Sequence, residues 1–257
     1  MATTAVHNPQ ATTAPVIAAA PATAPTRCGS CWNLAQETLL NIVRMSREKP
    51  KYVIKAVGYF FGWQNVADPS NTYAKGMSGF CRNTKNALSM TEVPHNALET
   101  FRALRSFWNE HSVTNGRQVV AKGQPLVNSV CDSLKLTNQL GATNLNGTGI
   151  DKVNFTACLI GSSHGSYSAV EKIVQRTDNR SVQAYYLANL ARDISYVALA
   201  VIGLHAIFIA GVAAAPWVML ACLTSAQFFT IVGYLTERYF EHPTRGINYR
   251  SAQPVNL

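Results

Sequence analysis

The chain has 257 residues, of which 47% are hydrophobic and 14% charged, with a formal net charge of +9. Soluble domains usually carry about 25% charged residues, so too little charge is present to solvate the surface of an ordinary soluble domain. A disordered regulator is excluded as well, because such chains are highly charged and poor in Leu, Ile and Val.

Residues 1–26 are rich in Ala, Thr and Pro, and the first acidic residue is Glu37. A stretch of this composition buries no core, and residues 1–32 are expected to form a disordered leader. It has neither the early Lys or Arg nor the unbroken apolar run of a Sec signal peptide. Residues 33–193 read as helices joined by short polar loops. Asn33–Glu48 places Leu34, Leu39, Ile42, Val43 and Met45 near the helical period and stops before Pro50. Tyr52–Phe61 continues that character. Thr91 can cap a helix that holds Pro94 in its first turn, followed by a stripe of Leu98, Phe101, Leu104 and Trp108. Val127, Val130, Cys131 and Leu134 make another stripe, and both are expected to face a core. After a Gly/Asn loop at 141–149 come Val153–Ile160, Tyr167–Val174 and a last helix from Ser181. The scattered Cys81, Cys131, Cys158 and Cys222 are expected to be buried thiols.

From Ile194 to Thr236 there is no Asp, Glu, Lys or Arg. A helix needs about 20 apolar residues to cross a bilayer core, so this block holds two spans, Ile194–Ala213 and Trp217–Leu235, joined by a turn at Gly211 to Pro216. Proline breaks the helical ladder there, and Trp217 suits the membrane–water interface. Gly203 and other small residues (Ala198, Ala200, Ala210, Ala221, Ser225) would let the two helices approach closely. His205 is expected to be hydrogen-bonded between them. Arg192 precedes the block, Arg238 and Arg245 follow it, and the turn is uncharged, so both ends are expected on the cytosolic side. Residues 237–257 form a basic tail. The charge of +9 then serves topology and attraction to anionic lipid. The basic run Arg44–Lys55 reads as a solvated or lipid-facing surface, and no nucleic-acid partner is expected.

Cys28-Gly29-Ser30-Cys31-Trp32 reproduces the signature around the nucleophile of papain-like cysteine proteases, with Cys31 opening a helix and His164 and Asn179 downstream. The family's oxyanion-hole Gln falls on Pro25, and no Asn-Ser-Trp follows the His. A protease is therefore the distant alternative, and the chain is expected to be non-enzymatic, with no cofactor and no metal site.

The acid-free start, helical region and two-lobed apolar block with a short turn resemble the inclusion membrane proteins of chlamydiae. Over residues 1–30 and 194–236 that resemblance implies export by type III secretion, insertion in the vacuole membrane and both termini in the host cytosol. The segment Arg180–Asp193, after the basic amphipathic Met45–Phe61, is similar to the peroxisomal membrane-elongation (peroxin eleven) family, which implies amphipathic helices that remodel a bilayer. The expected fold is all-α, a helical bundle or amphipathic helices plus a two-helix transmembrane hairpin. The expected function is display of the 33–193 helical domain to a protein partner, or to other copies of the chain as a homo-oligomer, on the cytosolic face of a membrane.

Overall fold

A computed structural model describes residues 27–175, 180–209 and 215–240. They form seven helices and, among the described residues, no strand: α1 (Arg27–Glu48), α2 (Pro50–Ala67), α3 (Thr72–Asn109), α4 (Val113–Gln139), α5 (Gly147–Gln175), α6 (Arg180–Phe208) and α7 (Pro216–Phe240). The all-α class, with a pair of long apolar helices, is the class the chain adopts. Two compact units divide the chain, Met1–Glu37 and Thr38–Leu257, and α2–α7 all belong to the second.

Local chemistry sets the helix ends. Pro50 occupies the first turn of α2, where its missing N–H costs nothing. Asn71 caps α3 by accepting from the Ala74 amide at 2.9 Å, and Ser112 caps α4 by accepting from the Asn115 amide at 3.1 Å. Gly141, at φ 72°, turns the chain out of α4 in the left-handed conformation that glycine favours.

From α2 onward consecutive helices run antiparallel and side by side, and α7 returns to α2, so α2–α7 close into a ring. Lys51 bridges α2 to Glu92 of α3, Lys85 bridges α3 to Asp132 of α4, and Lys135 bridges α4 to Asp151 of α5. Phe155 of α5 lies on Gly203 of α6, and Asn189 of α6 faces Gly233 of α7. The ring closes where the Gln227 amide donates to the Tyr52 carbonyl at 2.9 Å and the Trp63 indole N–H donates to Thr224 Oγ1 at 3.0 Å.

Three helix readings change. No helix starts at Thr91, because α3 continues through Pro94. The Thr91 hydroxyl donates backward to the Leu88 carbonyl at 2.8 Å instead of capping forward. The ladder bond lost at proline is offset by tertiary contacts on both sides, Lys51–Glu92 before it and the Asn96 amide to Ser129 Oγ after it. The segments Val153–Ile160 and Tyr167–Val174 belong to one helix, α5, since Gly161 and Gly165 are needed where Gln124 and Asp193 press against it. α1 begins at Arg27, earlier than Asn33.

The fourth difference concerns which side of a helix is inside. Leu98, Phe101, Leu104 and Trp108 are exposed, Trp108 by 80%. The buried face of α3 is small and polar instead: Ala74, Cys81, Asn86, Ser89, Thr100 and Ala103. Across the described residues the largest fully buried side chains are Asn86, Ser89 and Ser129. Close helix approach explains this choice, because α4 comes near enough for the Thr100 hydroxyl to reach the Lys122 carbonyl at 2.8 Å. In the second stripe Cys131 is buried and Val130 exposed. Cys81, Cys131 and Cys158 are buried, and Cys222 is half-buried.

At Gly203 an added Cβ would stand 2.6 Å from the Phe155 ring, whereas at Gly76 it would meet nothing within 4 Å. Gly203→Ala is expected to cost about 1–3 kcal/mol through overpacking, and Gly76→Ala to be neutral or stabilising by up to about 1 kcal/mol. Thermal melts of the two purified variants check this: the midpoint falls for the first and holds or rises for the second.

Candidate functional site

Among the described residues two helices are long and apolar enough to cross a membrane, Val182–Phe208 and Pro216–Glu237. Their side chains sort by size and polarity. Ile194, Val201, Phe208, Trp217 and Phe228 are exposed, while Ala200, Ala226 and Gln227 are buried. Gly203 is buried too, but against Phe155 of α5 and not within the hairpin. Pro216 opens α7, Leu235 is half-buried near its end, and Arg238 lies in its last turn. Gly211, Ala210 and Arg245, the leader 1–26 and the tail beyond residue 240 lie outside the described residues. His205 corrects an expectation: its side chain is exposed, because the inward positions of α6 are taken by Ala200 and Gly203.

Arg192 does not stand free at a flank. Its Nε donates to Asp193 Oδ1 at 2.8 Å, and Asp193 is buried against Gly165, whose missing side chain makes room for the carboxylate. This pair sits inside the apolar helix that starts at Val182.

A second polar centre occupies the interior between α2, α3 and α4. Lys85 Nζ lies 2.7 Å from Asp132 Oδ1, and the Ser89 hydroxyl donates to Asp132 Oδ2 at 2.9 Å. Lys51 pairs with Glu92 at 2.6 Å, and Lys55 follows one turn later on the same face of α2. Burial pushes the Lys85 ammonium down to about 8 from its usual 10.5, with Asp132 restraining the fall. Burial acts to raise the Asp132 carboxyl, but Lys85, Ser89 and Lys51 together outweigh it and hold the group below its ordinary value. Asn86, only 2% exposed, leaves its Oδ1 without a hydrogen-bond partner. The expected solvated or lipid-facing run Arg44–Lys55 is corrected at its end, where Lys51 and Lys55 are half-buried and Lys51 pairs with Glu92. The Lys85–Asp132 pair gave no local signal, because its partner comes from another helix.

A cavity of about 390 Å³ opens where the α1–α2 junction meets α6 and α7, lined among others by Lys49, Tyr52, Arg192, Tyr234 and Glu237. At its edge the Tyr234 hydroxyl donates to Glu48 Oε2 at 2.8 Å.

The protease elements are placed differently from that family's geometry. Cys31 lies inside α1 and does not open it, and His164 lies in the middle of α5. Asn179 is outside the described residues. Among the described residues no group of three His, Cys, Asp or Glu could hold a metal ion. No family model, no curated protein and no solved structure matches the chain.

Asp132→Asn removes the countercharge of Lys85 and is expected to cost about 3–5 kcal/mol, most of it recovered in a Lys85→Met/Asp132→Leu double variant. The lysine also dictates a pH dependence. Between about 8 and 10.5 the unfolded chain binds more protons at Lys85 than the folded one does, so stability rises with pH across that window. Thermal melts across it should show the rise in the native chain and a flatter profile in Lys85→Met.

Proposed function

We propose that the chain is an integral, non-enzymatic membrane protein, anchored by the α6–α7 hairpin, that presents helices to a protein partner on the cytosolic side. The observation that carries this reading is the environment of the two apolar helices. Only 22% and 17% of their most apolar windows are buried. A core helix of a soluble bundle hides its apolar surface, whereas these turn Ile194, Val201, Phe208, Trp217 and Phe228 outward. An acyl-chain environment accepts that arrangement at no cost, and water does not. Arg180 before the apolar pair and Arg238 and Arg245 after it, around an uncharged turn, favour both ends on the cytosolic face, while Arg192 is taken up by Asp193. The acid-free leader and the two-lobed block support a vacuole membrane reached by secretion, as in the inclusion membrane proteins.

For the partner, the stripe Leu98, Phe101, Leu104 and Trp108 supplies an exposed apolar face, with Arg102 and Arg105 exposed beside it. An apolar helix face rimmed by charge suits recruitment of a partner helix.

The hairpin is tested with single cysteines at Ser112, Ala214 and Gln253 in a background lacking the 6 native cysteines. In sealed vesicles an impermeant maleimide is expected to reach Ala214→Cys from the side opposite to the other two. Labelling of all three from one side sinks the reading.

One observation favours a second reading, membrane remodelling. The second half of α1 exposes Leu39, Leu40 and Val43 beside Arg44 and Arg47, an unpartnered basic amphipathic face. That reading expects the full chain to tubulate anionic vesicles and Leu39→Glu/Val43→Glu to stop it. Vesicles left spherical by the native chain, as seen by electron microscopy, argue for anchoring alone.

A further inference from the structure

The hairpin does not stand apart from the bundle. Phe155 packs on Gly203, Cys158 Sγ lies 3.7 Å from the Tyr196 carbonyl, and Gly165 receives the Asp193 carboxylate. The Phe155–Gly165 stretch of α5 therefore flanks the Asp193–Gly203 stretch of α6 turn for turn. On the other side Gly62 and Trp63 of α2 meet Leu220 and Thr224 of α7, and Tyr52 meets Gln227. A hydrocarbon slab that holds these stretches of α6 and α7 holds their neighbours at the same depth.

The outer faces of those neighbours are chemically suited to it. From Val153 to Val174 the exposed residues of α5 are Val, Ile, Tyr, Thr and Ser, and none is charged. This face is about 33 Å long at 1.5 Å per residue, close to the roughly 30 Å of a hydrocarbon core. The charges of α5 lie near its ends, and three of the four are engaged: Asp151 with Lys135 at 2.6 Å, Glu171 with Arg117 at 3.1 Å, and Lys152 over the Phe208 ring at 5.0 Å, with Lys172 half-buried in the last turn. Between Lys152 and Glu171 there is no Asp, Glu, Lys or Arg. Hydropathy alone passes over α5 because Ser162, His164, Ser166 and Ser168 lower the average, yet none of them is on the exposed face. Gly161 and Gly165, four residues apart, admit Gln124 and Asp193, the close approach that packing in lipid relies on. In α2 the exposed side chains from Val57 to Trp63 are Val57, Phe60 and Trp63, while Lys51 turns to Glu92.

The opposite side of the ring differs. α3 exposes Lys75, Arg82, Asn83, Arg102 and Arg105, and charge at that density is costly in hydrocarbon.

We propose that α5 and α2 are embedded in the bilayer beside the hairpin, so that acyl chains contact four neighbouring helices, while the charged outer face of α3, held at the same depth by its packing on α2 at Gly58 and Cys81, is turned to water or protein and not to acyl chains. This rests on the hairpin reading above. The alternative is a bundle that opens on insertion, releasing α5 and α2 into water.

Nitroxide labels at single cysteines in the reconstituted full chain decide between them. Ile160→Cys reports α5, Phe60→Cys α2, Val201→Cys the hairpin and Asn83→Cys the α3 face, all at exposed or surface-facing positions. Collision rates are measured with oxygen, which concentrates among acyl chains, and with a water-soluble nickel chelate, which is excluded from them. The oxygen-to-nickel ratio at Ile160→Cys and Phe60→Cys is expected to match Val201→Cys and to exceed Asn83→Cys by about fivefold or more. Ratios at both positions equal to that of Asn83→Cys, with Val201→Cys still lipid-exposed, overturn the proposal and leave the hairpin standing. A low ratio at Val201→Cys removes the hairpin, and the proposal with it.

Discussion

Lys85 and Asp132 form the interaction on which the register of the ring depends. Neither charge is tolerable alone in the interior, because removing an ion from water costs several kcal/mol even after relaxation. Their pairing, with Ser89 on the second carboxylate oxygen, is available only when α3 and α4 stand in one alignment. Lys51–Glu92 imposes the same condition between α2 and α3, and Lys135–Asp151 between α4 and α5. Such pairs add little net stability over an apolar contact, but a slipped alignment strands a charge. Their contribution is to exclude alternatives, and the small side chains around them follow from that. Ala74, Ala103, Ser129 and Ala169 are what fits when helices come close enough for polar groups to meet.

A ring held in this way has little need of a Leu- or Phe-rich centre. Gln227 reaches a backbone carbonyl of α2, Asn96 reaches Ser129, and Thr100 reaches the backbone of α4. Helix association by close packing and hydrogen bonds between helices is the mode that works where apolar surface gains nothing from leaving its solvent. In water, Ile160, Phe208, Phe228 and other exposed large apolar side chains of α5–α7 would stand exposed at a free-energy cost of about 25 cal/mol per Å².

What was legible in the sequence follows from this. The helical period was visible, so α1 and the apolar pair of helices were placed close to where they stand, one stripe of α4 was seen without its ends, and the long charge-free run from Ile194 announced itself. Periodicity gives the axis of an apolar stripe but not which side is the interior. That sign depends on how closely the helices approach, and expecting large side chains to fill the interior put Leu98, Phe101, Leu104 and Trp108 inside when they are exposed and small or polar residues face α4. Pro94 and the Gly161–Gly165 segment misled for another reason. Local propensity argues for a break at each, and tertiary contacts from Lys51, Ser129, Gln124 and Asp193 override it. The Lys85–Asp132 centre gave no signal at all, because its residues lie far apart in the chain and carry no motif.

The two sides of the ring then pose a joint problem. A bundle in water throughout would be expected to spread its charge over every outer face, and one in lipid throughout would be expected to clear charge from all of them. Here α5, α6 and α7 show almost none, while α3 shows Lys75, Arg82, Arg102 and Arg105. Arg192 and Asp193 sharpen the contrast, since the one charged pair in the middle of α6 is folded inward onto Gly165 and not left on the outer surface. On the proposed embedding, a chain that hides charge on one side and displays it on the other meets acyl chains with the first side and water or protein with the second, and the hairpin is the most apolar part of the lipid-facing surface.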